Sequence, residues 1–418
     1  MSTPEVQTWQ LRARFAAALS TMYGAEVPAY TTLVEVSEAV NRDYVATHPK
    51  AERLGSIERV TAERHGAIRV GTPAELSSVA DLFAAFGMYP VGYYDLREAA
   101  SPVPVVSTAF RPVDAVELAR NPFRVFTSML ATRDSRFFGD DLRPRVDAFL
   151  DRRTLFDPQL IADARRIAAD GGCATDTAQD FVARAVGAFA LSREPVDRAW
   201  YTELTAVSAV AADIAGVPTT HINHLTPRVL DIDDLYRRMS ERGIAMIDAI
   251  QGPPRWDGPD VLLRQTSFRA LAEPRRFREA DGSVADGTLR VRFGEVEARG
   301  VALTRKGRER YDAAMASTDT DTDTVAVWGD FFPRTDDEMA SQGLAYYHRG
   351  DPSAPVVYED FLPASAAGIF RSNLDTDAEA ATGADQSGYS LNWMAGTIGH
   401  HIHDPYDLYD ATAQEAPA

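Results

Sequence analysis

The chain has 418 residues, 45% of them hydrophobic and 25% charged, so a large buried core is within reach. Its formal charge of −18 repels phosphate backbones and anionic lipid, which argues against a nucleic-acid or membrane partner. A single cysteine, Cys173, excludes an intrachain disulfide framework or a cysteine zinc site. With no long apolar run and no secretory N-terminal pattern, a cytoplasmic location is expected.

Residues 1–59 read as an N-terminal helical segment, with Trp9, Leu11, Phe15, Leu19 and Met22 at the spacing of one helix face. Val60–Val70 reads as a strand interrupted by Gly66. Thr72-Pro73-Ala74-Glu75 then has the N-cap, N1 proline and third-position acid of a helix start, and Gly87 ends that helix. Strand-like runs follow at Tyr89–Leu96 and Val103–Phe110 and complete a first unit over 60–112, whose fourth strand is hard to locate. Residues 113–216, rich in Ala, Arg, Asp and Leu, read as a helical insertion, clearest at Pro158–Ala169 and Ala178–Leu191; Cys173 reads as a small residue in a helix connection.

The first pattern then returns over 217–300. His224-Leu-Thr-Pro-Arg228 echoes His65-Gly-Ala-Ile-Arg69, followed by a helix at Asp231–Arg242 and strands at Ile244–Ile250, Val261–Leu271 and Thr288–Glu297. Two strand–helix–three-strand units of this kind pair their sheets into one half-barrel, so the expected fold class is α+β with ligands contributed from both halves. Residues 301–418 form a C-terminal extension, with an exposed acidic loop at Ser317–Thr324 and a buried stretch at 355–374.

His65 and His224 open equivalent strands, and pseudo-twofold pairing brings such positions together. Two imidazoles and a carboxylate on one face suit iron(II), manganese or zinc, and leave positions open for substrate and oxygen, as in non-haem iron oxygenases. The carboxylate is expected from the strand LRVRFGEVEARG, where Glu295 and Glu297 share a face and both remain candidates. His221, three residues before His224, faces the other side of a regular strand. Arg69, four residues after His65, shares its face and either grips a substrate carboxylate or forms a salt bridge with one of the many acids. The cluster His400, His401 and His403 lies near the terminus without a repeat partner and reads as no metal site.

The strings ERHGAIRVGTPAEL, INHLTPRVLDIDDLY, RQTSFRAL, RVRFGEVEARG and FLPASAAGIFRSNL, in this order, resemble the 2-oxoadipate dioxygenase/decarboxylase family, a relative of the vicinal-oxygen-chelate enzymes. The resemblance spans about residues 10–410. It implies an Fe(II) enzyme converting 2-oxoadipate and O2 to 2-hydroxyglutarate and CO2, late in lysine breakdown. By motif it implies His65, His224 and Glu295 as metal ligands and Arg69 as the residue that holds substrate carboxylate. It further implies that Gln265, Ala364 and Ser365 line the substrate pocket, which the C-terminal extension completes. The family carries a larger aliphatic residue at the place of Ala364. The competing readings are a metal-dependent isomerase or lyase of glyoxalase type, which would not consume oxygen, and a non-catalytic small-acid binding protein.

Overall fold

Each unit of the chain begins with a strand whose neighbours decide the site, and the computed structural model describes residues 4–49, 51–99, 102–290, 292–317, 324–362 and 387–417. In chain order the strands are β1 (Val6–Gln7), β2 (Arg64–Val70), β3 (Tyr89–Asp95), β4 (Val105–Arg111), β5 (Arg124–Leu130) and β6 (Gly172–Cys173). After these come β7 (Val196–Asp197), β8 (His224–Pro227), β9 (Leu263–Phe268), β10 (Glu273–Arg278), β11 (Val284–Leu289) and β12 (Gly294–Arg299).

The central layer runs β3-β4-β5-β2-β8, with β5 parallel to β2 and β8 antiparallel to it. Beyond β8 lies β12, joined to it by a parallel bridge between Arg228 and Glu297 and by a 2.8 Å bond from Val229 N to Glu297 O. β9 then pairs antiparallel with β12, and Met246 and Gln251 bridge antiparallel to the far side of β9. The order is therefore the same when read outward from β2 or from β8: a parallel neighbour, an antiparallel strand, then an outer antiparallel segment. This is the α+β architecture of two strand–helix–three-strand units side by side, in a layer that stays open at both ends among the described strands.

The helices that follow β2 and β8 have the ends the sequence predicts. Thr72 caps Pro73–Ala84 in a reciprocal box with Glu75, and Asp231 accepts from Asp233 and Asp234 N at the start of Ile232–Glu241. β2 begins later than expected, because Ile57–Ala62 is a helix, and it runs through Gly66 without a break. A Cβ on Gly66 would lie 2.7 Å from Ile222 Cδ1, so the glycine permits the close approach of the chain leading into β8.

Residues 113–216, expected to be helical, contain the seven-residue strand β5, and this strand is the missing fourth strand of the first unit. Every residue of β5 is buried. A short central strand covered on both faces shows no alternation, so periodicity cannot distinguish it from a buried helix. One short helix of this region, Ala115–Arg120, precedes it, and the others follow: Arg143–Leu150, Pro158–Asp170, Thr175–Gly187, Arg198–Val207 and Ala209–Gly216. The hairpin β10–β11 was not anticipated either, although its Asp281-Gly282 turn, with φ +83° at Gly282, carries a hairpin signature. Ile244–Ile250, expected as a strand, contributes only a bridge at Met246.

The N-terminal helices Thr8–Glu26 and Pro28–Thr47 brace the second unit. Tyr23 Oη donates to the carbonyls of Asn223 and Phe293 at 3.0 and 2.8 Å, and Asn41 Nδ2 donates to Arg228 O at 3.0 Å. Cys173 sits in β6, which pairs with β1 between two helices.

Candidate metal centre

Residues directly opposite one another in a sheet point to the same side. Thr226 faces His65, His224 faces Ala67, Glu295 faces Ser267 and Glu297 faces Gln265. His65 and His224 are thus diagonal neighbours across the seam between the two units. Their rings stand 5.5 Å apart, at 82° to one another. Glu295 comes in from β12: its Oε2 lies 2.6 Å from His224 Nδ1 and 3.9 Å from His65 Nε2.

One donor atom from each of His65, His224 and Glu295 lies within 4.8 Å of the others, and the residues are only 2, 7 and 4% exposed. Among the described residues no other group of this kind occurs. Such a group could hold a metal ion. His224 Nε2 is buried without a hydrogen-bond partner among the described residues, and an unsatisfied buried imidazole nitrogen calls for an occupant. Two imidazoles and one carboxylate form a donor set that divalent first-row metals accept.

Burial opposes the charged form of Glu295, but His224 and His65 outweigh it and hold its carboxyl down at about 2, so it is an anion at neutral pH. The histidines diverge. Burial also disfavours the imidazolium of His65, yet Glu297 and Glu295 outweigh it and raise its pKa. For His224 burial prevails over Glu295, aided by His65 and Arg69, and the pKa falls. Glu297, the rival candidate, lies 3.2 Å from His65 Nδ1, on the side of the ring away from Glu295, and is bonded to Arg299.

A family model, 2-oxoadipate dioxygenase/decarboxylase, matches residues 15–373. The chain belongs to the 2-oxoadipate dioxygenase/decarboxylase family. A relative named 2-oxoadipate dioxygenase/decarboxylase from Mycobacterium tuberculosis is 74% identical, with 98% of each chain covered. One of the same name from Escherichia coli is 38% identical, with 97% of each covered. The crystal structure of hydroxyglutarate synthase from Pseudomonas putida in complex with 2-oxoadipate superposes with a TM-score of 0.82 at 36% identity, covering 99% of this chain and 97% of that one.

The remaining predicted residues of this family member fall in different places. Arg69 is buried and ion-paired through Nη1 to Asp213, so the salt bridge anticipated for it exists. Asp213 also accepts from Asn223 Nδ2 at 3.0 Å and lies 3.2 Å from His221 Nε2. His221 therefore belongs to the support of Arg69 and is not brought into the three-residue group. Gln265, opposite Glu297, is buried on the same face as Glu295. Ala364 and Ser365 lie outside the described residues, but Phe361, just before them, stacks edge-on to His65 at 5.0 Å. His401 and His403 have rings 5.0 Å apart, and His403 bridges to Val91 at the outer strand β3, apart from the three-residue group.

Sequence reasoning missed Asp213 and the pairing of Glu297 with Arg299. The signal for Asp213 was available: it is the one charged residue in the buried helix Ala209–Gly216, AVAADIAG. A lone carboxylate in such a run needs a cationic partner.

Proposed function

We propose that this protein is an iron(II)-dependent dioxygenase/decarboxylase that converts 2-oxoadipate and O2 to 2-hydroxyglutarate and CO2, in the cytoplasm, late in lysine breakdown. The observation that carries this reading is the buried His65–His224–Glu295 group at the seam of the two units, in a chain of this family. No helix among the described residues is long and apolar enough to cross a membrane, which accords with a metabolic enzyme acting on a small acid.

His65, His224 and Glu295 would hold the iron. When bound, iron(II) supplies the electrons that let ground-state O2 react with a 2-oxo acid. The reaction balances without a further co-substrate: C1 leaves as CO2, one oxygen atom completes a carboxylate at the former keto carbon, and the other becomes a hydroxyl on its neighbour. Arg69, ion-paired to Asp213, would grip a substrate carboxylate and keep the reacting carbons in register. Gln265, buried on the same face as Glu295, and Ala364 and Ser365 would line the substrate site. Phe361 and Phe126, whose rings are 5.1 Å apart, limit water on the His65 side.

The test is anaerobic loading with Fe(II), then oxygen-electrode assays with 2-oxo acids of different length. Oxygen uptake with 2-oxoadipate, abolished by chelation and restored by Fe(II), is expected, with two atoms from 18O2 in the hydroxy acid. Turnover without air would replace this reading by a lyase or isomerase; reaction with only 2-oxoglutarate or shorter acids would reject the substrate.

A further inference from the structure

Glu295 and Glu297 stand two residues apart on one face of β12, yet their surroundings give them different work. Glu295 reaches both histidines. Glu297 faces only His65, and from the opposite edge of the ring: its Oε1 lies 3.2 Å from Nδ1, whereas Nε2 is the atom turned toward Glu295.

Both oxygens of Glu297 are committed to a fixed cation. Arg299 donates to Oε1 from Nε at 2.5 Å and to Oε2 from Nη2 at 3.0 Å. Arg299 is itself immobilised, because its Nη1 donates to the carbonyls of Tyr358 and Asp360 at 2.7 and 3.1 Å, and Glu63 lies 3.4 Å from its Nε. A bidentate guanidinium pair of this kind fixes the plane of the carboxylate. Glu297 therefore cannot swing round to join Glu295, and beyond Arg299 its charge faces His65 Nδ1 at ion-pair distance, off the line of a hydrogen bond.

The geometry points to Glu297 as a positioning residue of the centre: it keeps the proton of His65 on Nδ1, so that the bare Nε2 faces Glu295 and His224. This inference rests on the reading of His65 as a ligand. Histidines that bind metals generally give their other N–H to a carboxylate or carbonyl, which fixes the tautomer and makes the ligating nitrogen more basic. The contact also ties the centre to the C-terminal extension, through Arg299 and the carbonyls on either side of Glu359. Among the described residues His224 has no equivalent support: its Nδ1 faces Glu295 and its Nε2 has no hydrogen-bond partner.

The test uses the full chain, stripped of metal and titrated anaerobically with Fe(II) against a competing chelator, with circular dichroism as the control for folding. Glu297→Gln keeps the shape and an accepting oxygen but removes the charge; Glu297→Ala removes both. Fe(II) affinity is expected to fall about tenfold for Glu297→Gln and closer to a hundredfold for Glu297→Ala, the usual range for such supporting groups. If Glu297→Ala does not fold, Glu297→Gln decides alone. Wild-type affinity in Glu297→Gln, with His65→Ala binding no iron, overturns the inference and leaves the centre standing. Wild-type affinity in His65→Ala overturns the centre itself. Loss as complete in Glu297→Gln as in Glu295→Ala makes Glu297 a ligand and also overturns its role as a support.

Discussion

The two units share a strand order but not a chemistry, and the contrast can be followed position by position. Arg69 and Arg228 each lie four residues after the opening histidine. Arg69 faces Ser128 on the parallel neighbour β5, and Arg228 faces Glu297 on the parallel neighbour β12. Two residues earlier on those neighbours stand Phe126 in the first unit and Glu295 in the second. The place that supplies a carboxylate in one half thus supplies a phenyl ring in the other, packed 5.3 Å from Tyr94 and 5.1 Å from Phe361. The repeated strand order brings two histidines to the seam, and the difference in side chains leaves three donors there instead of four among the described residues. Three donors leave positions open for reactants, whereas four close a site into a structural one.

The sharpest way to break this comparison is to erase its asymmetric member. Glu295→Ala removes the only carboxylate among the described residues that reaches both histidines. Loss of Fe(II) affinity by more than about a hundredfold is expected, because even supporting groups cost ten- to hundredfold. Anaerobic iron titration measures it, and near-native affinity in this variant would mean that Glu295 is not one of the donors.

A loss of stability, not of metal, is expected where the halves are fastened together. Glu63, just before β2, pairs with Arg124 on β5, lies 3.0 Å from Arg228 beyond β8 and 3.4 Å from Arg299 on β12. Burial pushes its carboxyl up, but Arg124, Arg228, Arg59 and Arg299 outweigh it and hold it at about 2, below the ordinary 4.5. A depressed carboxyl stabilises the fold fully above its unfolded pKa, so this contribution is present above pH 4.5 and is lost as pH falls toward 2; it amounts to about 3 kcal/mol. Glu63→Gln leaves three buried guanidiniums short of charge and should cost about 3–5 kcal/mol at neutral pH. Its stability should also fall less steeply with acid than that of the parent. Urea midpoints across the acid range measure both, and parallel acid limbs in the two proteins would contradict the assignment.

The same contrast shows which parts of the molecule could be read without coordinates. The echo of His65–Arg69 in His224–Arg228 and the capped helices that follow are local signals, and they lead to the two-unit fold. β5 was hidden because its burial on both faces erases the alternation that marks a strand, and with it went Phe126 and Ser128, the counterparts of Glu295 and Glu297. The choice between the two glutamates was equally inaccessible. Alternation puts both on one face, and what separates them is the clamp of Arg299, which depends on carbonyls some sixty residues away in the C-terminal extension. The partner of Arg69 lay in a third region, a helix of the insertion.

The least drastic test concerns the arginine of the first unit. Asp213 reaches Arg69 of the first unit and no member of the three-residue group. Burial raises its carboxyl, but His221 and Arg69 outweigh it, so it is an anion facing Arg69 at neutral pH. Asp213→Ala removes a charge-assisted anchor and lets the guanidinium turn, and one such bond corresponds to roughly a tenfold rise in KM for 2-oxoadipate. Asp213→Asn retains an oxygen that can accept from Arg69 and from Asn223, which now bonds to the carboxylate at 3.0 Å, so it should recover most of that loss. Fe(II) affinity should change much less than KM in both, since the change removes none of the three donors and reaches His224 only through the charge of Arg69. If instead both variants lose iron, the first unit does not divide its labour between a metal-facing histidine and a substrate-facing arginine. An unchanged KM in Asp213→Ala would show that Arg69 holds its place without this carboxylate.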